Sequence, residues 1–139
     1  MDLDKLPLGK RTTYPKKYDP SLLVGISRQE SRTRSGISIQ DSLFYGLDSW
    51  TAYELSWLDI EGIPKNGVLY AAYDSNSKKF IESKSLKLYL NSINNKKFDA
   101  REDLLALIKK DHIPLDMLFF FQGVIYLNPK LGPYSFPSI

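Results

Sequence analysis

Apolar and polar positions alternate along residues 50–60, with Thr51, Tyr53, Leu55 and Trp57 on one face and Glu54 and Ser56 on the other. A period of two with aromatic side chains predicts a β-strand. Gly62, Pro64 and the Asn66-Gly67 pair mark a turn region, and a second strand follows at Val68–Tyr73, with Val68, Tyr70 and Ala72 sharing a face. The two segments form an antiparallel hairpin with a loop longer than the minimum. The period then changes. Leu86, Tyr89, Leu90 and Ile93 fall at i, i+3, i+4 and i+7, the stripe of an amphipathic helix. Leu104, Leu105 and Ile108 carry the stripe of a second helix, with Asp99 and Glu102 spaced as an N-cap and its reciprocal partner. Lys109 and Lys110 complement the dipole at its C-terminal end, and Pro114 prevents it from continuing. Residues 116–127 read as a third strand, in which Phe119–Phe121 is apolar on both faces and so calls for cover on both.

The order strand, strand, helix, helix, strand predicts an α+β fold with two helices on one face of an antiparallel sheet, one strand short of two matched hairpins. Patterning divides the chain into an extended basic lead-in packed on the domain (1–47), the folded module (48–127) and a proline-rich tail (128–139). In the lead-in, Pro7-Leu8-Gly9, Tyr14-Pro15, Asp19-Pro20 and Ser35-Gly36 discourage long helices, while Tyr14, Tyr18, Leu22, Leu23, Leu43, Phe44 and Tyr45 suggest contact with the domain. An incomplete sheet exposes an edge, so a partner is expected: a second module or another copy of the chain.

Charge changes the picture only locally. The chain carries a net charge of +3, and residues 1–34 hold eight Lys/Arg against four acids, a local balance of +4. A solvated arm is the plainer explanation of that excess, with a phosphate-rich partner as the alternative. Cysteine is absent, which excludes disulfides, thiolate metal sites and a thiol nucleophile from this chain. One histidine and scattered acids offer no metal set, and no Gly-rich phosphate loop occurs. The N-terminus has neither the basic start nor the apolar stretch of a secretory signal, and no run of apolar residues is long enough to span a bilayer; a cytoplasmic protein is expected. His112 reads as a turn residue, and Trp50, Tyr53 and Trp57 read as core side chains rather than a stacking platform.

The chemistry concentrates in Ile81-Glu82-Ser83-Lys84-Ser85-Leu86-Lys87-Leu88-Tyr89, an acid, two hydroxyls and two lysines around the start of an amphipathic helix. The unpaired N–H groups of a first helical turn favour an anion, Ser83 can cap the helix or bond a ligand, and Lys84 can reach a phosphate. Glu82 alone would read as a solvated helix-terminal carboxylate, and Lys87 as a surface lysine.

This segment resembles the signature of the 7-cyano-7-deazaguanine reductases, the QueF family, and every signature position is filled. The resemblance extends to Leu8-Gly9-Lys10, Tyr18-Asp19-Pro20-Ser21-Leu22-Leu23, Asp48-Ser49-Trp50-Thr51 and Tyr53-Glu54-Leu55-Ser56-Trp57-Leu58, about residues 7–110, and points to the N-terminal module of the two-module form. It implies the tunnelling fold (T-fold), in which modules or subunits join sheets and sites form between them. It also implies an NADPH-dependent oxidoreductase of queuosine biosynthesis that reduces the nitrile of 7-cyano-7-deazaguanine to an aminomethyl group, for use in tRNA modification. Ile81, Glu82 and Ser83 would bind the 7-deazapurine, and Ser83 and Lys84 would contact NADPH. A carboxylate suits a guanine-like edge, because a ring N–H and an exocyclic amine can both donate to it, each bond contributing about 1.5–3 kcal/mol. The family's nucleophilic cysteine and proton-transferring aspartate belong to the second module, so this chain alone is expected to be inactive. Since the family acts on the free base, no direct contact with nucleic acid is expected. The alternative is a non-catalytic purine-binding or assembly domain that kept the fold.

Overall fold

The computed structural model describes residues 6–37, 45–112 and 115, together with the backbone of one further strand at Phe119–Tyr126. The elements run β1 (Gly25–Ser27), α1 (Arg28–Arg34), β2 (Leu47–Leu58), β3 (Pro64–Asp74), β4 (Lys79–Ile81), α2 (Ser83–Ile93), α3 (Arg101–His112) and β5 (Phe119–Tyr126). Strands β2, β3 and β5 form an antiparallel sheet with β3 in the middle, and β1 and β4 form a small antiparallel pair of their own. The fold is α+β, consistent with a T-fold module; the predicted order strand, strand, helix, helix, strand is met by β2, β3, α2, α3 and β5, with β1, α1 and β4 in addition. The proline-rich tail lies outside the described residues, as do Leu43, Phe44, Pro114 and the side chains of β5.

The hairpin between β2 and β3 closes through Asp59, whose Oδ1 accepts the amides of Glu61 at 3.0 Å and Ile63 at 2.8 Å. Gly62 takes a positive φ of 88° in that loop, a conformation with no Cβ penalty for glycine. Strand β3 begins at Pro64, four residues before its apolar run, because Pro64–Asn66 are opposite Ser56–Leu58 in the ladder.

The face assignment of β2 needs a correction. Its register shifts between Ala52 and Leu55, so Tyr53 and Glu54 together face Val68 in a β-bulge. One extra residue inverts the alternation. Leu55 and Trp57 are buried as expected, but upstream it is Trp50 and Ala52 that pack on the core, while Thr51 is exposed and Tyr53 is 69% exposed. Tyr53 is therefore not a core residue.

The core is one cluster between the sheet and the two long helices. Leu55, Trp57, Leu69, Ala71 and Tyr73 supply the sheet side, Leu86, Tyr89, Leu90 and Ile93 the stripe of α2, and Leu104 and Ile108 the stripe of α3. Val68, Tyr70 and Ala72 occupy the opposite face of β3. The end of β2 is tied to the α2–α3 connection, where Leu58 donates to the Lys96 carbonyl and accepts from the Phe98 amide, both at 3.0 Å.

Two expectations for α3 change. The helix starts at Arg101, so Asp103 rather than Glu102 reaches back, accepting the Ala100 amide at 3.2 Å. Glu102 instead pairs with Arg101 at 3.0 Å on the surface. The helix also runs on to His112, which is not a turn residue: it is 2% exposed, its Nδ1 lies 2.6 Å from the Ile108 carbonyl, and its ring meets those of Tyr73 and Tyr89. Its capacity to bond back to its own helix lets a polar ring close the core.

The lead-in contains elements that patterning did not reveal. Helix α1, Arg-Gln-Glu-Ser-Arg-Thr-Arg, has no apolar stripe; Ser27 caps it by accepting the Glu30 amide at 3.3 Å. Tyr18, Leu22 and Leu23 reach the core, whereas Tyr14 and Tyr45 remain largely exposed. No helix among the described residues is long and apolar enough to cross a membrane.

Two outcomes follow from this packing. Ile108→Ala should cost about 2–5 kcal/mol in a urea melt, since the side chain is fully buried. Burial holds the His112 imidazole below its ordinary 6.5, against the raising effects of its bond to Ile108 and the nearby Asp111. The unfolded chain therefore binds more protons here, and stability should fall as pH drops below about 6.5, with a shallower loss in His112→Phe when both are melted across that range.

Candidate functional site at the mouth of helix α2

Strand β4 delivers the chain to α2. Ile81, 1% exposed, ends the strand opposite Gly25, and Glu82 follows in an extended conformation at φ −77° and ψ 129°. Glu82 is the N-cap of α2, a place usually filled by shorter side chains. Its Oε1 accepts the Lys84 amide at 2.9 Å and its Oε2 the Ser85 amide at 2.7 Å. A carboxylate at this position satisfies two orphan amides and faces the positive end of the helix dipole. Glu82 is only 2% exposed, so it is a buried carboxylate held by backbone N–H groups. An ionised carboxylate has about four acceptor sites, and these two bonds occupy half of them.

Ser83 does not cap the helix. It is the first helical residue, exposed, at the junction of two clefts. One cleft, of about 470 Å³, runs between α2 and the N-terminal arm and is basic: Lys10, Arg11, Lys84 and Lys87 line it together with Ser83 and Tyr14. In it the Lys84 ammonium donates to the Lys10 carbonyl, and the Lys87 ammonium stands 5.9 Å over the Tyr14 ring. The other cleft, of about 420 Å³, lies between α2 and the first half of β2, with Trp50, Tyr53 and Leu55 on one wall and Ser83, Leu86 and Lys87 on the other. Both volumes are in the range of small-molecule sites.

Ile81, Glu82, Ser83 and Lys84 are thus brought to one helix mouth, but at different depths. Ile81 and Glu82 lie beneath the surface, and Ser83 and Lys84 line the basic cleft. Sequence reasoning missed Ser85, which is fully buried and bonded to Glu82, and the arm residues Lys10 and Arg11 that form the opposite wall. A legible signal existed for Ser85: Ser85 and Ser92 are polar residues seven apart beside the apolar stripe. No group of three or more metal-binding side chains converges among the described residues.

Glu82→Ala should lower stability by about 1–2 kcal/mol through loss of the cap, with Glu82→Gln costing less because one acceptor oxygen remains; chemical denaturation of the three proteins measures both.

A family model described as nitrile reductase, 7-cyano-7-deazaguanine reductase N-terminal, matches residues 14–115, a span that runs from the arm through β1 and the mouth of α2 to the end of α3. With most of its 139 residues inside that match, the chain belongs to the family of N-terminal modules of 7-cyano-7-deazaguanine nitrile reductases.

Proposed function

We propose that this chain is the substrate- and NADPH-binding half of a nitrile reductase that converts 7-cyano-7-deazaguanine to its aminomethyl product, and that a cysteine-bearing second module completes it. One observation carries the reading: the Glu82 carboxylate is fixed by two amide donors at a helix mouth flanked by two clefts of ligand size. Its remaining acceptor sites suit the adjacent ring N–H and amine of a guanine-type edge, and burial makes that pairing selective, since a ligand without those donors leaves the carboxylate unsatisfied. Ile81 is the buried apolar residue next to it in the chain, and Ser83, which lines both clefts, would bond the ligand from the surface.

The basic cleft fits a phosphate-bearing cofactor by charge. Ser83 and Lys84 would hold NADPH there, with Lys10, Arg11 and Lys87 adding positive potential. When bound, NADPH supplies hydride to the nitrile carbon. This chain's part is to orient the purine and hold the cofactor's anionic groups. It has no cysteine with which to attack the nitrile, so turnover requires the second module.

A second reading, a non-catalytic assembly domain, is favoured by one fact: both Glu82 oxygens already bond their own helix, as a purely structural cap would. Mixing the chain with a separately produced cysteine-bearing module separates the two. Nitrile-dependent NADPH oxidation should appear only in the mixture. Glu82→Gln, which keeps most of the cap but replaces one acceptor with a donor, should weaken 7-cyano-7-deazaguanine binding about a hundredfold. A stable complex that binds no purine, or binds it equally well with Glu82→Gln, leaves the assembly role.

A further inference from the structure

Two serines of α2 are buried where apolar residues would pack more simply: Ser85 is 0% and Ser92 1% exposed. Each hydroxyl donates to the carbonyl three residues back, Ser85 to Glu82 at 2.8 Å and Ser92 to Tyr89 at 2.6 Å. Such back-bonding is neutral or mildly unfavourable for a helix, so helix formation does not account for either serine. Each hydroxyl oxygen also accepts an amide of the N-terminal arm: Val24 bonds Ser85 at 3.1 Å, and Asp19 bonds Ser92 at 3.2 Å. Seven residues are two helical turns, about 10.5 Å, and the arm crosses that distance antiparallel to α2. Two anchors of one design therefore fasten the arm to the helix.

Only the Ser85 anchor touches Glu82. There the Glu82 amide donates to the Val24 carbonyl at 2.9 Å, closing a ring in which Val24 donates to Ser85, Ser85 to Glu82 and Glu82 to Val24. The Ser85 amide holds Oε2 of the same glutamate at 2.7 Å. The amide, carbonyl and carboxylate of Glu82 are each bonded to Val24 or Ser85. At the other anchor, Tyr18 of the arm and Tyr89 of α2 both donate to Oδ2 of Asp111, at 2.7 and 2.6 Å, which fixes the far end of the arm without reaching the site.

We propose that Ser85 is a positioning residue for Glu82, and that residues 19–24 are a strap whose grip on Ser85 sets where the carboxylate stands. The consequence for purine affinity rests on the reading of Glu82 given above; the positioning itself does not.

Ser92 supplies the control, since Ser92→Ala removes bonds of the same kind two turns from the site. The test is amide hydrogen exchange on the full chain, corrected for intrinsic rates, comparing Ser85→Ala with Ser92→Ala. Both variants should lower the melting midpoint comparably. Exchange at the Lys84 amide and the amide of position 85 should quicken about tenfold in Ser85→Ala and stay within about twofold in Ser92→Ala. In complex with the cysteine-bearing module, affinity for 7-cyano-7-deazaguanine should fall about tenfold for Ser85→Ala only. Equal exchange at those amides in the two variants overturns the proposal. A wild-type complex that binds no purine sinks the functional reading alone, because the exchange comparison still decides Ser85. Should Ser85→Ala not fold, Val24→Pro deletes the same bond from the arm's side while leaving Ser85 in place. Quickened exchange at Lys84 and Ser85 in that variant supports the strap, and unchanged exchange overturns it.

Discussion

A carboxylate removed from water is costly unless hydrogen bonds receive it, and the region around α2 is arranged to supply two of them to Glu82. Two amides of the first helical turn receive its oxygens, so the constraint that satisfies the acid also starts the helix. Its backbone amide goes to Val24, which brings the arm alongside and continues the short ladder in which Gly25 pairs with Ile81. The entry of α2, the pairing of β1 with β4 and the path of the arm thus share one local cause.

The rest of the molecule gives that arrangement a rigid base. Strand β3 sits between two antiparallel neighbours, and the inner face of the sheet is closed by the stripes of α2 and α3. The bulge at Tyr53 and Glu54 allows β2 to keep Trp50 and Ala52 as well as Leu55 and Trp57 on that face, and it turns Tyr53 outward beside the α2 groove. At the far end, burial and the shared Asp111 carboxylate push the Tyr89 and Tyr18 hydroxyls well above the ordinary tyrosine range, so both stay protonated and remain donors to that acid. The arm is therefore a fixed part of the domain, held by polar bonds at both ends of α2.

The candidate site residues are at two depths. Under the proposed function the buried acid would pair with the purine, and Ser83 and the lysines, which line the clefts, would meet the charged cofactor. A chain without cysteine supplies no thiol to attack a nitrile, in keeping with membership of a family of N-terminal modules.

Much of this was legible in the sequence because periodicity records burial. The stripe of Leu86, Tyr89, Leu90 and Ile93 named the buried face of α2, Leu104 and Ile108 named that of α3, and the signature from Ile81 to Tyr89 named the family. Local patterning could not register a single inserted residue, so the facing of Thr51 and Tyr53 came out inverted before the bulge. It could not see α1, which has no apolar face, nor a His112 whose burial depends on Tyr73 and Tyr89 from other elements. Sequence alone determined the strands of the main sheet and its two long helices, which side chains are apolar enough to be core, and that no cysteine chemistry can arise here, since these are properties of residues and their near neighbours. Only tertiary structure decided that Glu82 is buried as a cap, that Ser83 is not one, and that Ser85 joins the acid to Val24. Those facts depend on hydrogen bonds between residues up to sixty-one positions apart, a separation at which no local pattern carries information.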